Sequence, residues 1–344
     1  MTVNGAVTAT MATTDLDKIF VRGVAPSDKA TGSVGYYDTI MATSYDPAVS
    51  VSMGAEEAVS FDADAGWQLV GAANAPPKRQ AHASAVYSDS MYVFGGERSA
   101  YFYSDLWRYE FASDAWTFIP VKNTSSALGR YDHTAVVYGD CLYVYGGRSP
   151  NPLGDFWKYD FNLQTWSEMP TSAGMAARFG HTATVVAHKM YVHGGYLPDE
   201  DVLTDQLWSF DFTLSEWTLV GPRTTNFGEP YVADPSDAIT FPGALAPERY
   251  SSVSIGAGRY LYVIGGAGGE DMATELGDLY KFDTMGKAWI AMDATGLNIY
   301  DAAGAAQGYH IAVFGGHGSA HGGDRKFHND LYYYYTPEDL LMNL

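Results

Sequence analysis

Four arginines occupy one recurring position, 16 residues before the first glycine of a Gly-Gly pair. They are Arg79, Arg130, Arg178 and Arg249. An aromatic residue directly follows three of them, namely Tyr131, Phe179 and Tyr250. A guanidinium group can hold a carboxylate through two hydrogen bonds, and Arg beside an exposed aromatic ring is enriched at the energetic centres of protein interfaces. The pattern therefore has two interpretations: contact with a binding partner, or pairing with neighbouring acids such as Asp132 that holds the fold together.

Metal-ligating residue types gather near the C-terminal end of the sequence. They are His310, His317, His321 and His328, together with Asp324. The spacing of His317 and His321 would place two ligands on one face of a helix, but the surrounding sequence is rich in glycine and follows a Gly-Gly pair. We therefore predict solvated loop histidines here, and we predict neither a metal nor another cofactor.

A long insertion, residues 221–248, separates Trp217 from Arg249. It contains Pro and aromatic residues without a helical or strand period, and long loops of this kind in compact domains are usually functional or disordered. One interpretation is an arm that becomes ordered on binding a partner; the alternative is a disordered excursion. The anchors of such an arm would be Phe227, Tyr231 and Phe241.

These candidate residues sit within a repeat. An apolar strand that ends in a Gly pair occurs five times, at 91–96, 142–147, 190–195, 261–266 and 311–316. After each copy comes an Asp-led segment with hydrophobic and aromatic residues, which begins at Asp105, Asp155, Asp205, Asp278 and Asp330. In four copies a tryptophan follows, at Trp116, Trp166, Trp217 and Trp289. Repetition at a fixed period predicts an array of similar supersecondary units.

The succession Arg-x-x-His, Gly-Gly, Asp-Leu-Trp and Trp closely resembles the Kelch repeat over residues 79–335. The resemblance implies an all-β fold in which each repeat is a four-stranded blade and the blades close into a β-propeller. Closure of the ring removes long exposed strand edges. In Kelch adaptors of ubiquitin ligases, similar arginines point to the channel mouth and bind acidic peptide motifs. This resemblance implies a partner-binding role for the four arginines here, although the adaptors' other domains are absent from this sequence.

We predict six blades, with five as the alternative. Residues 58–62 and Trp67 look like a decayed copy of the last two strands of a repeat, and residues 48–54 and 36–38 could supply the first two. The final repeat lacks its tryptophan, so we expect residues 18–21 to provide its outer strand. The predicted organisation is a flexible tail at 1–17, the propeller at 18–336 and a C-terminal tail at 337–344.

The catalytic signatures of Kelch-type enzymes find little support. A copper-radical oxidase needs a cysteine crosslinked to tyrosine, but the one cysteine, Cys141, lies in a predicted core strand. Plant specifier proteins hold iron with Glu-x3-Asp-x3-His, of which the sequence has only the second half, Asp324-x3-His328. Two Kelch-type enzymes stay open as alternatives: a sugar-acid epimerase, which has no such local signature, and a metal-dependent oxidase. We predict a protein-binding module or scaffold that is a subunit of a larger assembly, rather than an enzyme.

The composition narrows the classes of partner. The formal charge of −20 disfavours phosphate backbones and anionic membranes, so we expect no nucleic acid and favour a protein partner. No apolar run approaches the roughly 18 residues of a membrane span. A single cysteine allows no internal disulfide, which fits a reducing compartment. We expect an intracellular, cytoplasmic location, with an organelle interior as the alternative.

Overall fold

The computed structural model divides the chain into two compact units, residues 1–71 and 72–344. In the first unit it describes one strand pair, Thr2–Val3 with Ala6–Val7. In the second unit it describes residues 74–120, 129–221, 246–269, 274–292, 296–307, 310–319, 326–327 and 331–335, together with the pair Thr224–Thr225 and Glu229–Pro230. Strands, turns and loops make up all of these residues.

Among the residues that the structure describes, five antiparallel meanders form blades of a β-propeller, which confirms the predicted all-β, Kelch-type fold. Blades I to IV have four strands and blade V has three among the described residues. The strands are Ala83–Tyr87, Ser90–Phe94, Leu106–Glu110 and Ala115–Ile119 in blade I; Thr134–Tyr138, Cys141–Tyr145, Phe156–Asp160 and Thr165–Met169 in blade II; Thr182–Val186, Lys189–His193, Leu207–Asp211 and Glu216–Leu219 in blade III; Val253–Ala257, Tyr260–Ile264, Leu279–Asp283 and Ala288–Ala291 in blade IV; and Ala303–Gln307, His310–Phe314 and Leu331–Tyr335 in blade V.

The second strand of each blade is apolar because both of its faces are covered. Successive side chains of a strand point to opposite faces, and in blade II the residues from Leu142 to Tyr145 are all buried. Leu142 and Val144 pack toward blade I, whereas Tyr143 and Tyr145 pack toward blade III. Similar clusters lie between blades III and IV and between blades IV and V. The core is thus a series of apolar layers between blades.

Each Gly pair marks a close approach between neighbouring loops. In the pair of blade II, a Cβ atom on Gly147 would lie 2.6 Å from the backbone oxygen of Tyr131, and its φ of 90° disfavours any other residue. The recurrence of glycine in these pairs therefore has a direct geometric basis at this position.

A line of backbone hydrogen bonds joins the five described blades. It lies just before the first strand of each blade, which we call the inner strand; the fourth is the outer strand. The amide of Asp132 donates to Ala81, Gly180 to Asp132, Ser251 to Gly180 and Asp301 to Ser251, over 2.7–3.1 Å between N and O. All five residues have a left-handed φ of 52–63°. We call this line the collar. It places the same point of each blade in register with that of the next.

The inner strands of the first and last described blades are more exposed than those of the blades between them. In blade I, Ser84 and Val86 of the inner strand are exposed, Val86 to 58%. In blade V the inner-strand residues 303–306 are exposed as well, whereas the inner strands of blades II to IV have no exposed residue. The segments predicted to form a sixth blade and its closing strand, residues 18–21, 36–38, 48–54 and 58–67, lie outside the described residues. The choice between six and five blades therefore stays a prediction.

Candidate partner-binding face

The repeated arginines lie inside the blades. The side chain of Arg130 is fully buried, and its Nη1 donates to the Gly146 oxygen at 3.0 Å and to Asp155 Oδ1 at 2.7 Å, while Nη2 donates to Asp155 Oδ2 at 2.8 Å. The same bidentate pairs join Arg79 to Asp105 and Arg249 to Asp278. The constant spacing of 16 residues follows, because each arginine binds the backbone oxygen of the first glycine of its own blade.

In blade III the residue that binds the arginine differs from the one that the sequence pattern indicated. Arg178 Nη2 donates to Gln206 Oε1 at 2.7 Å, so Gln206, and not Asp205, occupies the position of Asp105 and Asp155. Trp208 Nε1 donates to the same oxygen, as the equivalent tryptophans of blades I and II do to their aspartates. The single residue inserted before the third strand displaces Asp205 from this place.

Burial limits what these arginines can contact. The side chains of Arg130 and Arg249 have no exposed surface, Arg178 is equally buried, and only 4% of the Arg79 side chain is exposed. The contacts match the interpretation in which the arginines hold the fold together. The acid that holds Arg130 is Asp155 of its own blade, whereas the expectation had named Asp132. Direct binding of an acidic peptide by these groups, as the resemblance implied, would first require their ion pairs to open.

The aromatic residues after the arginines lie where each inner strand begins. Tyr131, Phe179 and Tyr250 pair through the backbone with Arg148, Tyr196 and Ala267, the residues that directly follow the Gly pairs. Those residues begin short hairpins between the second and third strands. We call this end of the propeller the hairpin face; its hairpins are Glu97–Arg98 with Tyr101–Phe102, Arg148–Ser149 with Asn151–Pro152, Tyr196–Leu197 with Val202–Leu203, Ala267–Gly268 with Thr274–Glu275, and His317–Gly318 with Lys326–Phe327.

On the hairpin face, five side chains from blades I to III contact one another in one line, which we call the ladder. The rings of Phe102 and Tyr131 are nearly parallel, with centroids 5.2 Å apart. The guanidinium of Arg148 lies 4.6 Å from the Tyr131 ring and 4.3 Å from the Phe179 ring. Phe179 in turn contacts Tyr196, with centroids 5.3 Å apart. Tyr131 and Phe179, which were predicted from the sequence, are thus bridged by Arg148, which was not.

Arg148 is held in place by Asp132. Its Nε and Nη2 atoms donate to Asp132 Oδ2 at 3.0 and 2.9 Å, and about a third of the Arg148 side chain stays exposed.

The repeat contained a signal for this residue: the position after each Gly pair is Glu97, Arg148, Tyr196, Ala267 or His317. Variation at one position of an otherwise regular scaffold is typical of a binding surface.

A groove opens beside the ladder, between blades I and II. Its volume is about 310 Å³, and it is lined by Gln80, Ala81, Glu97, Ala100, Phe102, Tyr131, Asp132 and Arg148. Burial raises the pKa of Asp132, and the carboxylates of Asp301 and Glu97 act in the same direction, whereas Arg148 opposes them. Gln80 Nε2 donates to Glu97 Oε1. The groove therefore combines aromatic surface with two carboxylates.

The other predicted residues fall in different places. Tyr250 lies on the hairpin face beside Tyr300, with ring centroids 6.4 Å apart. His317 Nδ1 lies 2.6 Å from the Tyr300 hydroxyl, and His310 begins the second strand of blade V. His321, Asp324 and His328 lie outside the described residues, as do Phe227, Tyr231 and Phe241. Within the described ranges, no three His, Cys, Asp or Glu side chains are grouped as a metal site would require.

Among the residues that the structure describes, no helix has the length and apolar character needed to cross a membrane.

The segments matched in curated relatives are short. The chain is 35% identical over 98 residues to leucine-zipper-like transcriptional regulator 1 homolog of Drosophila melanogaster, which is 27% of the chain and 10% of that protein. It is 34% identical over 76 residues to Kelch domain-containing protein 3 of Homo sapiens, 22% and 20% of the two lengths. It is 33% identical over 88 residues to N-(sulfonatooxy)prop-2-enimidothioate sulfolyase of Thlaspi arvense, 25% of each. The matches span a quarter or less of these relatives.

Two family models cover most of the chain between them. The KLHDC2/KLHL20/DRC7 Kelch-repeats domain matches residues 56–195. The Attractin/LZTR1 beta-propeller matches residues 151–343, which is more than half of the chain. Together with the repeated blades and their arginine pairs, these matches assign the chain to a family. The protein belongs to the Attractin/LZTR1 β-propeller family of Kelch-type propellers.

Proposed function

We propose that this propeller is a protein-interaction module that binds its partner through the hairpin face. The observation that carries the proposal is the ladder, in which an arginine is fixed between two aromatic rings and remains partly exposed. Arg and aromatic residues dominate the energetic centres of protein interfaces. Because Asp132 and the two rings already hold the Arg148 side chain, a partner that binds it has little rotamer entropy left to remove.

The blades are regular and the hairpins are variable, and this contrast supports the proposal. The buried contacts of the repeated arginines and the apolar strands recur from blade to blade, whereas the hairpins differ in sequence and length. A single residue, Pro150, connects the hairpin strands of blade II, but four residues connect those of blade III. Binding residues are commonly displayed on variable loops above a rigid scaffold. Membership of a Kelch-type family agrees with this division of roles.

The proposal assigns different roles to the predicted residues. Tyr131, Phe179 and Tyr250 are proposed partner contacts, and the four arginines are proposed supports that fix the backbone beneath them. The insertion connects the outer strand of blade III to the inner strand of blade IV, and in a meander such connections lie at the same end as the hairpins. We therefore keep its aromatic residues, Phe227, Tyr231 and Phe241, as proposed additional contacts.

Affinity capture from the native source with the full chain tests this proposal. We expect the double variant Tyr131→Ser/Arg148→Ala to lose proteins that the unaltered chain retains, because it removes the centre of the ladder. The matched control is Phe111→Ser/Arg259→Ala, which removes an aromatic ring and an arginine from turns at the opposite end of the blades. Circular dichroism and thermal unfolding report whether each variant is folded. Retention of every partner by a folded ladder variant would contradict the proposal.

An enzyme, metal-dependent or not, is the alternative function, and the match to the sulfolyase of Thlaspi arvense is the observation that favours an enzyme. Elemental analysis of the purified chain addresses this alternative. Stoichiometric iron or copper that is lost in a His317→Ala/His321→Ala variant would support the enzyme and count against the binding module.

A further inference from the structure

The groove between blades I and II has a composition suited to one class of side chain. We propose that it accepts a lysine or arginine side chain of the bound protein, and this inference rests on the proposed function. Phe102 and Tyr131 supply aromatic surface to the groove, and Glu97 and Asp132 supply carboxylates. An elongated cationic side chain can pack its methylene groups on aromatic rings while its head binds a carboxylate.

The charge balance of the groove favours a cation. Among the described residues that line it, Arg148 is the one cationic side chain. It already has two nitrogen atoms on Asp132 Oδ2 and its plane between two rings. Two carboxylates thus face one guanidinium, whose two faces contact rings and two of whose N–H groups are already bound to Asp132. The carboxylate of Asp301 lies close enough to Asp132 to influence it further. Complementary charge across an interface increases both specificity and association rate.

An acidic segment would not fit this face equally well. The guanidinium groups of Arg79, Arg130 and Arg249 are held by aspartates within their own blades and have at most 4% of their side-chain surface exposed. An acidic peptide would therefore meet the carboxylates of Glu97 and Asp132 in the groove, where the described cation, Arg148, is already paired with Asp132. The charges of the groove thus favour a cationic ligand, whereas the sequence resemblance implied an acidic peptide.

The ladder provides a place where the incoming side chain can stack. Phe102 is the end member of the ladder and also lines the groove. Arginine stacking on aromatic rings already recurs at this end of the molecule, since Arg79 lies 4.1 Å from the Tyr103 ring and Arg148 contacts two rings. A partner's cation over Phe102 would extend the same arrangement by one member.

The test uses three labelled peptides and the full chain. The peptides consist of Gly and Ser with interspersed arginines, interspersed glutamates or no charge, and their affinities are measured by fluorescence anisotropy at physiological ionic strength. We expect the arginine peptide to bind most tightly and Glu97→Gln to weaken its binding about three- to fivefold, the effect of one partly exposed charge pair. Phe102→Ala should weaken it by a similar factor.

A matched variant separates site binding from general attraction to an acidic protein. Glu168→Gln removes the same charge from an exposed position on the outer strand of blade II, and we expect a change of less than about twofold. Equal losses in Glu97→Gln and Glu168→Gln would overturn the inference, and so would tighter binding of the glutamate peptide.

A competition experiment distinguishes this inference from the proposed function. If captured partners depend on Tyr131 and Arg148, but survive Glu97→Gln and are not displaced by the arginine peptide, then the inference fails and the interaction module stands. If the arginine peptide binds through Glu97 while no partner depends on the ladder, the proposed function fails. Displacement of a ladder-dependent partner by the arginine peptide supports both.

Discussion

At the scale of single residues, the arginine repeat shows what a spacing can and cannot predict. The constant distance to the Gly pair predicted a recurring role, and the structure supplies its cause in the bond from Arg130 to the Gly146 oxygen. The sequence left two roles open because burial does not follow from spacing. Gln206 could not be anticipated either, since one inserted residue decides which side chain reaches Arg178.

The buried arginine pairs should contribute strongly to stability. We expect Asp155→Asn to lower the free energy of unfolding by about 3 kcal/mol, because it leaves the fully buried guanidinium of Arg130 without its carboxylate. The exposed control Asp140→Asn should cost less than about 1 kcal/mol. Urea unfolding measures both values. Equal, small effects would show that the pair does not hold the blade together.

A second group of buried residues links stability to pH. Burial lowers the pKa of His181 and of His193 to about 3, and it lowers the pKa of His133 well below its usual value. In the unfolded chain these groups titrate near 6.5, so below that pH the unfolded state binds more protons. Their contribution to stability is therefore complete above about pH 6.5 and declines as the pH falls toward 3.

His193→Phe tests this linkage at one position. The equivalent residues of blades I and V are Phe94 and Phe314, so the ring can be accommodated in this repeat. The variant should reduce the loss of unfolding free energy between pH 6 and pH 4 by up to about 1.4 kcal/mol per pH unit. Urea unfolding across that range gives the slope. An unchanged slope would mean that His193 does not remain neutral in the folded protein.

At the scale of elements, the blades were predictable and the hairpins were not. Strands such as Cys141–Tyr145 are apolar on both faces, and this pattern together with the Gly pair fixes their place in a blade. The hairpins have no common pattern, because each is shaped by local turn geometry. The ladder depends on three hairpins and two inter-blade contacts, so its existence could not follow from any one repeat.

The hairpin of blade I carries strain that can be relieved. Ser99 and Ala100 both have a left-handed φ, at 53° and 63°, where Asn-Gly would be preferred. We expect Ala100→Gly to raise the free energy of unfolding by about 0.5–1 kcal/mol. Ala85→Gly, in a regular strand of the same blade, should lower it by a similar amount. Thermal unfolding distinguishes them, and destabilisation by both variants would argue against strain at the hairpin tip.

At the scale of the whole molecule, the sequence predicted a propeller but could not establish how it closes. The collar runs in register through five blades, from Ala81 to Asp301, and the inner strands at its two ends are exposed. A sixth blade beside them would cover both strands. The decayed repeat that would form it lacks both the arginine and the Gly pair, which are the residues that made the other repeats recognisable.

Deletion of residues 1–71 tests the predicted ring of six. If these residues complete the ring, the remaining chain should unfold without a single cooperative transition and should bind hydrophobic dyes, because the inner strands of blades I and V lose their cover. Analytical ultracentrifugation would detect association through the same surfaces. A monomeric truncated chain that unfolds cooperatively at the original temperature would favour five blades.

The central claim is that a partner binds the hairpin face through the ladder. Hydrogen–deuterium exchange of the full chain, with and without its captured partner, tests this claim most directly. We predict slower exchange in the hairpins at residues 97–102, 148–152 and 196–203 and at the inner-strand starts near Tyr131 and Phe179. Protection confined to the opposite turns, at residues 111–114, 161–164 and 212–215, would contradict the account.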